Sequence, residues 1–421
     1  MKPQKSNLGK ISIECMMNSS NNNGLETMKV TSLELKDVGG IPYLKLENID
    51  PQMNIICGEN GVGKTNILDS IAYIFSSWSF NQIKKKSGSN YGELKALVHF
   101  NEEMFGSEIG AMHPVNALLD TFEPQESRSY RSVDSRFAKQ LIYLRTTRDI
   151  QYKFQQSIES DPDETKYGVD LLDGISSKDL KTWFISRFYQ SSAGNLEEQF
   201  LSNFELATKA FGLLDPNYSF KTVNRRNEVI MNTPSGDIYF EYLSSGFKSS
   251  LFIILGIIKD IEYRFQTKLL KSEDYDGLVL IDEVELHLHP DWQGRICSIL
   301  KKVFPKAQFF ITTHSPHVVQ TALQGEVIAL ERKDGEVIRR ELPTSEYGYQ
   351  GWTVEEILED VMGMPDLRTK KYNETKKRFD AALDSQNKHE AQVAYDELDK
   401  MLHPHYPLRP VFRMQLDSLG E

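Results

Sequence analysis

The chain has 421 residues, 39% hydrophobic and 26% charged, enough for two or three domains and a sizeable buried core. Its 49 basic and 60 acidic side chains give a formal charge of −11, which argues against non-specific coating of nucleic acid while leaving room for a local basic groove. Three cysteines, Cys15, Cys57 and Cys297, are too scattered for a disulfide framework and fit a reducing cytosol. No apolar run reaches the roughly 18 residues of a membrane helix, and no secretory leader is visible, so a cytoplasmic protein without a membrane partner is expected.

Residues 1–27 read as a flexible tail, with the polar run NSSNNNG from Asn18 to Gly24. Strands are predicted from Met28 to Val38, from Tyr43 to Leu46, and over Met53–Cys57, a short apolar run between Pro51 and Gly58. A helix with an apolar stripe follows over Asn66–Ser77. The stretch 101–217 is poor in β-branched runs and rich in polar helical patterns, including 149–160, 177–189 and 196–211, so it is expected to be a helical insertion. Strand character returns at Tyr218–Met231, and the turn at Pro234–Asp237 leads into Ile238–Tyr242. Leu278–Ile281 and Gln308–Ile311 are fully apolar, as in parallel strands covered on both faces, with a helix over Trp292–Val303 between them. The segment 346–421 is predicted helical: Thr353-Val354-Glu355-Glu356 forms a capping box, and two amphipathic helices follow at 366–383 and 388–402.

Gly58-Glu59-Asn60-Gly61-Val62-Gly63-Lys64-Thr65 matches G-x-x-x-x-G-K-[ST] between a predicted strand and a predicted helix. Glycines let the loop amides turn inward on phosphate oxygens, and the following helix N-terminus adds positive potential. Lys64 is expected on the outer phosphates of ATP and the Thr65 hydroxyl on Mg²⁺. Leu278–Ile281 ends in Asp282-Glu283, where ligands of open α/β sheets sit. Asp282 is the expected metal ligand, and Glu283, one residue on, the group that polarises the attacking water. His314, just past the strand Gln308–Ile311, is a candidate hydrogen-bond donor to the terminal phosphate. Leu243-Ser244-Ser245-Gly246-Phe247-Lys248-Ser249 opens an apolar helix and offers a second anion site, suited to the nucleotide of a partner copy.

Together GENGVGKT, LSSGFKS, LVLIDEVELHLHP and ITTHSP resemble the ABC-type ATPase heads of the SMC, RecF and overcoming-lysogenization-defect group. The resemblance covers about 28–100 and 218–340. It implies an α/β P-loop head, divided into ATPase lobes at 28–100 and 218–345 around the insertion and followed by the C-terminal helical segment. It also implies two heads closing around ATP and Mg²⁺, with Ser244, Ser245 and Gly246 acting on the opposite subunit's nucleotide, Phe247 in the place of the signature glutamine, and His314 as the switch histidine. Gln82, Gln125 and Gln140 are candidates for the family's further glutamine, none in a clear strand-end setting. The size, insertion and C-terminal texture are similar to the anti-phage Septu ATPases, stand-alone or retron-associated, which implies a homodimer or higher oligomer working with an HNH nuclease.

Alternatives are a RecF- or SMC-like DNA repair ATPase, with DNA reached through Lys84–Lys86, Arg225–Arg226 and Arg339–Arg340, and a transporter ATPase subunit, which would be more compact between its motifs. A fused Toprim nuclease would need a D-x-D at a strand end. Asp161-Pro162-Asp163 and Asp274-Tyr275-Asp276 have that spacing but lie in polar loops before the acidic strand.

Overall fold

A computed structural model describes residues 27–75, 83–104, 107–119, 135–146, 160–162, 177–343, 345–364 and 366–420. The chain divides into a large unit that runs to Gly363 and a small one from Met364 to Glu421.

In the large unit β1 (Thr27–Val38), β2 (Ile41–Leu46), β4 (Gly92–Met104) and β5 (Ser107–Leu119) form an antiparallel sheet in the order β2-β1-β4-β5. The central sheet has the order β13-β12-β3-β11-β10-β6. Its strands are β3 (Met53–Gly58), β6 (Leu141–Leu144), β10 (Leu278–Ile281), β11 (Gln308–Thr312), β12 (Val327–Lys333) and β13 (Glu336–Arg339), all parallel except the β12–β13 hairpin. A third, three-stranded sheet holds β7 (Ser219–Val223), β8 (Val229–Thr233) and β9 (Gly236–Tyr239).

The apolar central strands serve two cores at once, because successive side chains leave opposite faces of a strand. In β10, Leu278 and Leu280 join α1 (Lys64–Phe75) and the antiparallel sheet, whereas Val279 and Ile281 join the opposite cluster. That second cluster draws on α2 (Ser177–Ser192), α3 (Glu198–Leu214), α4 (Ser245–Arg264) and α5 (Pro290–Val303). The short α6 (Pro316–Gln320) follows β11.

The described residues of 101–217 are not purely helical, as the insertion was expected to be. They complete β4, supply β5 as the edge of the antiparallel sheet, and give β6 to the edge of the central sheet, beside β10. From Pro114 to Leu119 of β5 every second residue is buried (Val115, Ala117, Leu119), while Pro114 is tolerated because an edge strand leaves one side unpaired. The helices in this stretch are α2 and α3; the pattern at 149–159 and the tail at 1–26 lie outside the described residues. Tyr218–Met231 is two strands, not one, broken at the Asn224–Asn227 turn.

The boundary expected at 346 lies later. Tyr349, Ile357, Val361 and Met362 are buried in the second core of the large unit, and the Thr353 capping box is present, opening a helix that widens over Ile357–Val361. The small unit packs α7 (Lys370–Asp384), α8 (Lys388–Met401) and α9 (Arg409–Asp417) around Phe379, Ala391, Leu398, Phe412 and Leu416. The last of these helices was not expected from the sequence; Pro404 and Pro407 precede it and Pro410 sits in its first turn, where proline is tolerated.

A charged network crosses the helical side. Glu262 in α4, fully buried, accepts from Trp183 Nε1 and Arg187 Nε, both at 2.6 Å, while Arg187 Nη2 reaches Asp161 at 2.8 Å. Asp161 is thus a structural partner. Replacing Glu262 by alanine strands a buried guanidinium, so Glu262→Ala is expected to lose about 3–5 kcal/mol of stability. Thermal unfolding checks this; a melting temperature within a degree or two of wild type would show the network to be dispensable.

Candidate functional site

β3 delivers the glycine-rich loop to the C-terminal edge of the central sheet. Gly58 has φ +136°, and a Cβ there would lie 2.2 Å from the Leu330 carbonyl of β12, so only glycine lets the two backbones pass. Gly63, at φ +109°, would push a Cβ to 2.8 Å from Ile41 in the β1–β2 turn. Between them Glu59, Asn60 and Gly61 are exposed and Val62 is buried, which ties the loop down on one side and opens the other. Lys64 is buried and crosses the loop, donating from Nζ to the Gly58 and Glu59 carbonyls at 2.9 and 3.0 Å. Burial pushes its pKa below the usual lysine value.

Asp282 is where three elements meet. It extends β10 by one residue, with its amide donating to Leu144 O of β6 at 2.9 Å. Its carboxylate, buried, accepts from Thr65 Oγ1 of α1 at 3.1 and 3.3 Å and from Thr312 Oγ1 of β11 at 2.6 Å. Thr312 Oγ1 in turn accepts from the Glu283 amide at 2.7 Å, and the Val284 amide donates to Thr312 O at 3.0 Å. Glu283 itself takes φ +47°, a left-handed turn that is uncommon for a residue with a Cβ, and its side chain is half-buried. A carboxylate beside a threonine hydroxyl is the hard oxygen donor set that suits Mg²⁺.

The next acid, Glu285, has a part that the sequence did not reveal. Its carboxylate accepts from Thr313 Oγ1 at 2.8 Å and from the His314 amide at 2.6 Å, so it fixes the backbone of the histidine while the imidazole stays exposed. Ser315 caps α6 and donates to Gln293 Oε1 of α5 at 2.6 Å.

Ser244 is the N-cap of α4, accepting from the Phe247 amide at 3.3 Å; it and Ser245 are exposed. Gly246 is buried. A Cβ there would stand 2.8 Å from His287 O and 3.0 Å from the Trp292 ring, so the helix start is pressed onto the segment that follows Glu283. Ser249 Oγ adds a bond to Leu286 O at 2.9 Å. Phe247, in the expected glutamine position, is buried against Tyr218 and Trp292, with ring centroids at 4.7 and 5.4 Å. Its ring is a packing group with no polar atom to offer a phosphate. The turn before the signature is anchored by buried Lys181, which pairs with Glu228 at 2.8 Å and Glu241 at 2.5 Å.

Gln140 does not fill the place of the further glutamine. It precedes β6, at the end of the strand that pairs with Leu278, away from Asp282, and its carbonyl accepts from Tyr275 Oη at 2.7 Å. Gln82 and Gln125 lie outside the described residues.

Residues 53–320 match a family described as "AAA domain, putative AbiEii toxin, Type IV TA system". A "Septu protein PtuA" of Bacillus thuringiensis is 41% identical over 397 residues, covering 93% of this chain and 98% of its own. A "Retron Ec83 probable ATPase" of Escherichia coli is 34% identical over 144 residues, 32% of this chain and 26% of its own. The "SMC head domain from Thermotoga maritima" overlays 75% of this chain and all of its own, at 17% identity and a TM-score of 0.42.

Thr312 holds both the carboxylate of Asp282, the expected Mg²⁺ ligand, and the Glu283 amide. Thr312→Val is therefore expected to raise the Mg²⁺ concentration for half-maximal ATP turnover about 10–100-fold, as for other supports of metal ligands. A Mg²⁺ titration of turnover measures it, and an unshifted curve would mean that Asp282 is placed without this hydroxyl.

Proposed function

The chain belongs to this AAA-domain family and, within it, to the Septu PtuA ATPases, and on that premise we propose an ATP- and Mg²⁺-dependent switch in anti-phage defence, built as a homodimer that controls a partner effector, an HNH nuclease. The observation that carries the reading is the convergence of Thr65, Thr312 and the Glu283 amide on or beside one buried carboxylate, Asp282, at the mouth of the glycine-rich loop.

In this proposal the amides from Glu59 to Thr65 and the Lys64 ammonium hold the phosphates. Thr65 and Asp282 hold Mg²⁺, which would neutralise charge on the outer phosphates. Glu283, lifted from the strand end by its left-handed backbone, orients the attacking water. His314 donates to the terminal phosphate from a backbone that Glu285 has pinned. Ser244, Ser245 and Gly246 act on the nucleotide of the opposite subunit; the exposure of both serines at the start of a 20-residue helix supports this, because such an end attracts anions.

Glu283→Gln is expected to cut turnover by at least roughly 100-fold while keeping ATP bound, the loss typical of a missing general base. Light scattering after gel filtration should then show an ATP-stabilised dimer. Lys64→Ala should lose nucleotide, and Ser244→Arg should keep nucleotide but remain monomeric. Wild-type turnover by Glu283→Gln would remove Glu283 from the water-orienting role, and an ATP-stabilised dimer of Ser244→Arg would remove the signature from the interface.

A further inference from the structure

β6 lies on the side of β10 away from β3, and the two strands run parallel with Leu144 opposite Ile281. The residue after each strand is therefore level with the other: Arg145 stands beside Asp282. Its Nη2 donates to Asp69 Oδ1 at 3.0 Å, and Tyr143 Oη donates to the same oxygen at 2.9 Å. Asp69 comes four residues after Thr65, so one face of α1 touches both strand ends, with Thr65 on Asp282 and Asp69 on Arg145.

A guanidinium has five donors and no lone pair for a metal, so Arg145 cannot complete a Mg²⁺ shell, although it stands next to the carboxylate that begins one. What it suits is an oxyanion, and most of all phosphate. On the reading proposed above, Thr65 and Asp282 would hold Mg²⁺ beside the phosphates that the β3 loop cradles, so a cation on the far side of Asp282 would be level with the terminal phosphate. Arg145 is also partly open to solvent, with 26% of its side chain exposed against 11% for Asp69.

We infer that Arg145 contacts the terminal phosphate of the nucleotide bound in its own subunit, exchanging Asp69 for it as ligand. The inference rests on the phosphate-cradle reading above. Asp69 then acts as a parking site: burial raises its pKa while Arg145 and the Tyr143 hydrogen bond lower it, and the Asp282 charge adds to the rise.

Binding of fluorescent, non-hydrolysable ATP and of fluorescent ADP, both with Mg²⁺, tests this in the full-length chain. Arg145→Ala should weaken the ATP analogue roughly tenfold and ADP less than about twofold, with Arg145→Lys recovering part of the loss, since a charge on a phosphate is worth about one decade. Because Arg145→Ala leaves Asp69 without a cation, the double variant Asp69→Asn/Arg145→Ala is measured beside it and should show the same selective loss with its melting temperature retained. Equal affinities for the ATP analogue in that double variant and wild type, or equal weakening of ATP and ADP, would make Arg145 a structural partner of Asp69 and overturn the inference. Lys64→Ala separates the two readings. Loss of both nucleotides there leaves the cradle intact whatever Arg145 does, whereas retention of both would sink the cradle and this inference with it.

Discussion

The Asp282 carboxylate is the joint on which the site is assembled. A charge buried this far would be costly without hydrogen bonds, and it takes them from a helix, Thr65, and from a neighbouring strand, Thr312. The same threonine holds the next amide, so placing Asp282 also places Glu283. Glu285, two residues on, fixes the histidine loop after β11. Three residues from one short segment, Asp282, Glu283 and Glu285, thus define the geometry of a surface that sequence alone shows only as separate motifs.

The ATPase activity and the family follow from the match across nearly the whole of a Septu relative. The proposed dimer adds a physical requirement of its own. Gly246, in the first turn of helix α4, is pressed on the backbone that leads away from Glu283, so the signature and the acidic strand end of one subunit are mechanically one piece. In a closed pair, the group contacting a neighbour's nucleotide and the group serving the chain's own would move together, which is a direct route by which two sites keep step.

Much of this was legible in the sequence, for identifiable reasons. The glycine-rich loop, the apolar strands at β10 and β11, and the Thr353 cap are local signals whose meaning depends on a few adjacent residues. The failures are non-local. β6 is four apolar residues, Leu141–Leu144, within a polar stretch, and its place beside β10 depends on pairing across more than a hundred residues. β4 and β5 are interrupted by polar residues such as Asn101, Glu102, Glu103 and Asn116, and their register comes from pairing β4 on β1 and β5 on β4. Thr312 and Glu285 lie inside sequence motifs but have no part assigned there, and Arg145 lies in none; their parts exist only as distances to groups far along the chain. Phe247 is placed in the signature by position alone, and its burial against Trp292 is visible only in the tertiary structure.

The central strands have one more consequence. Because β10 alternates its side chains between two separate interiors, its length behaves as a counted quantity. A single inserted residue would hand Val279 and Ile281 to the wrong interior and rotate the aspartate at its tip to the opposite face. Drift in this lineage can therefore lengthen or rewrite its outer loops, while this four-residue rod stays fixed in number, and any surviving relative with a longer one must carry a bulge that restores the phase.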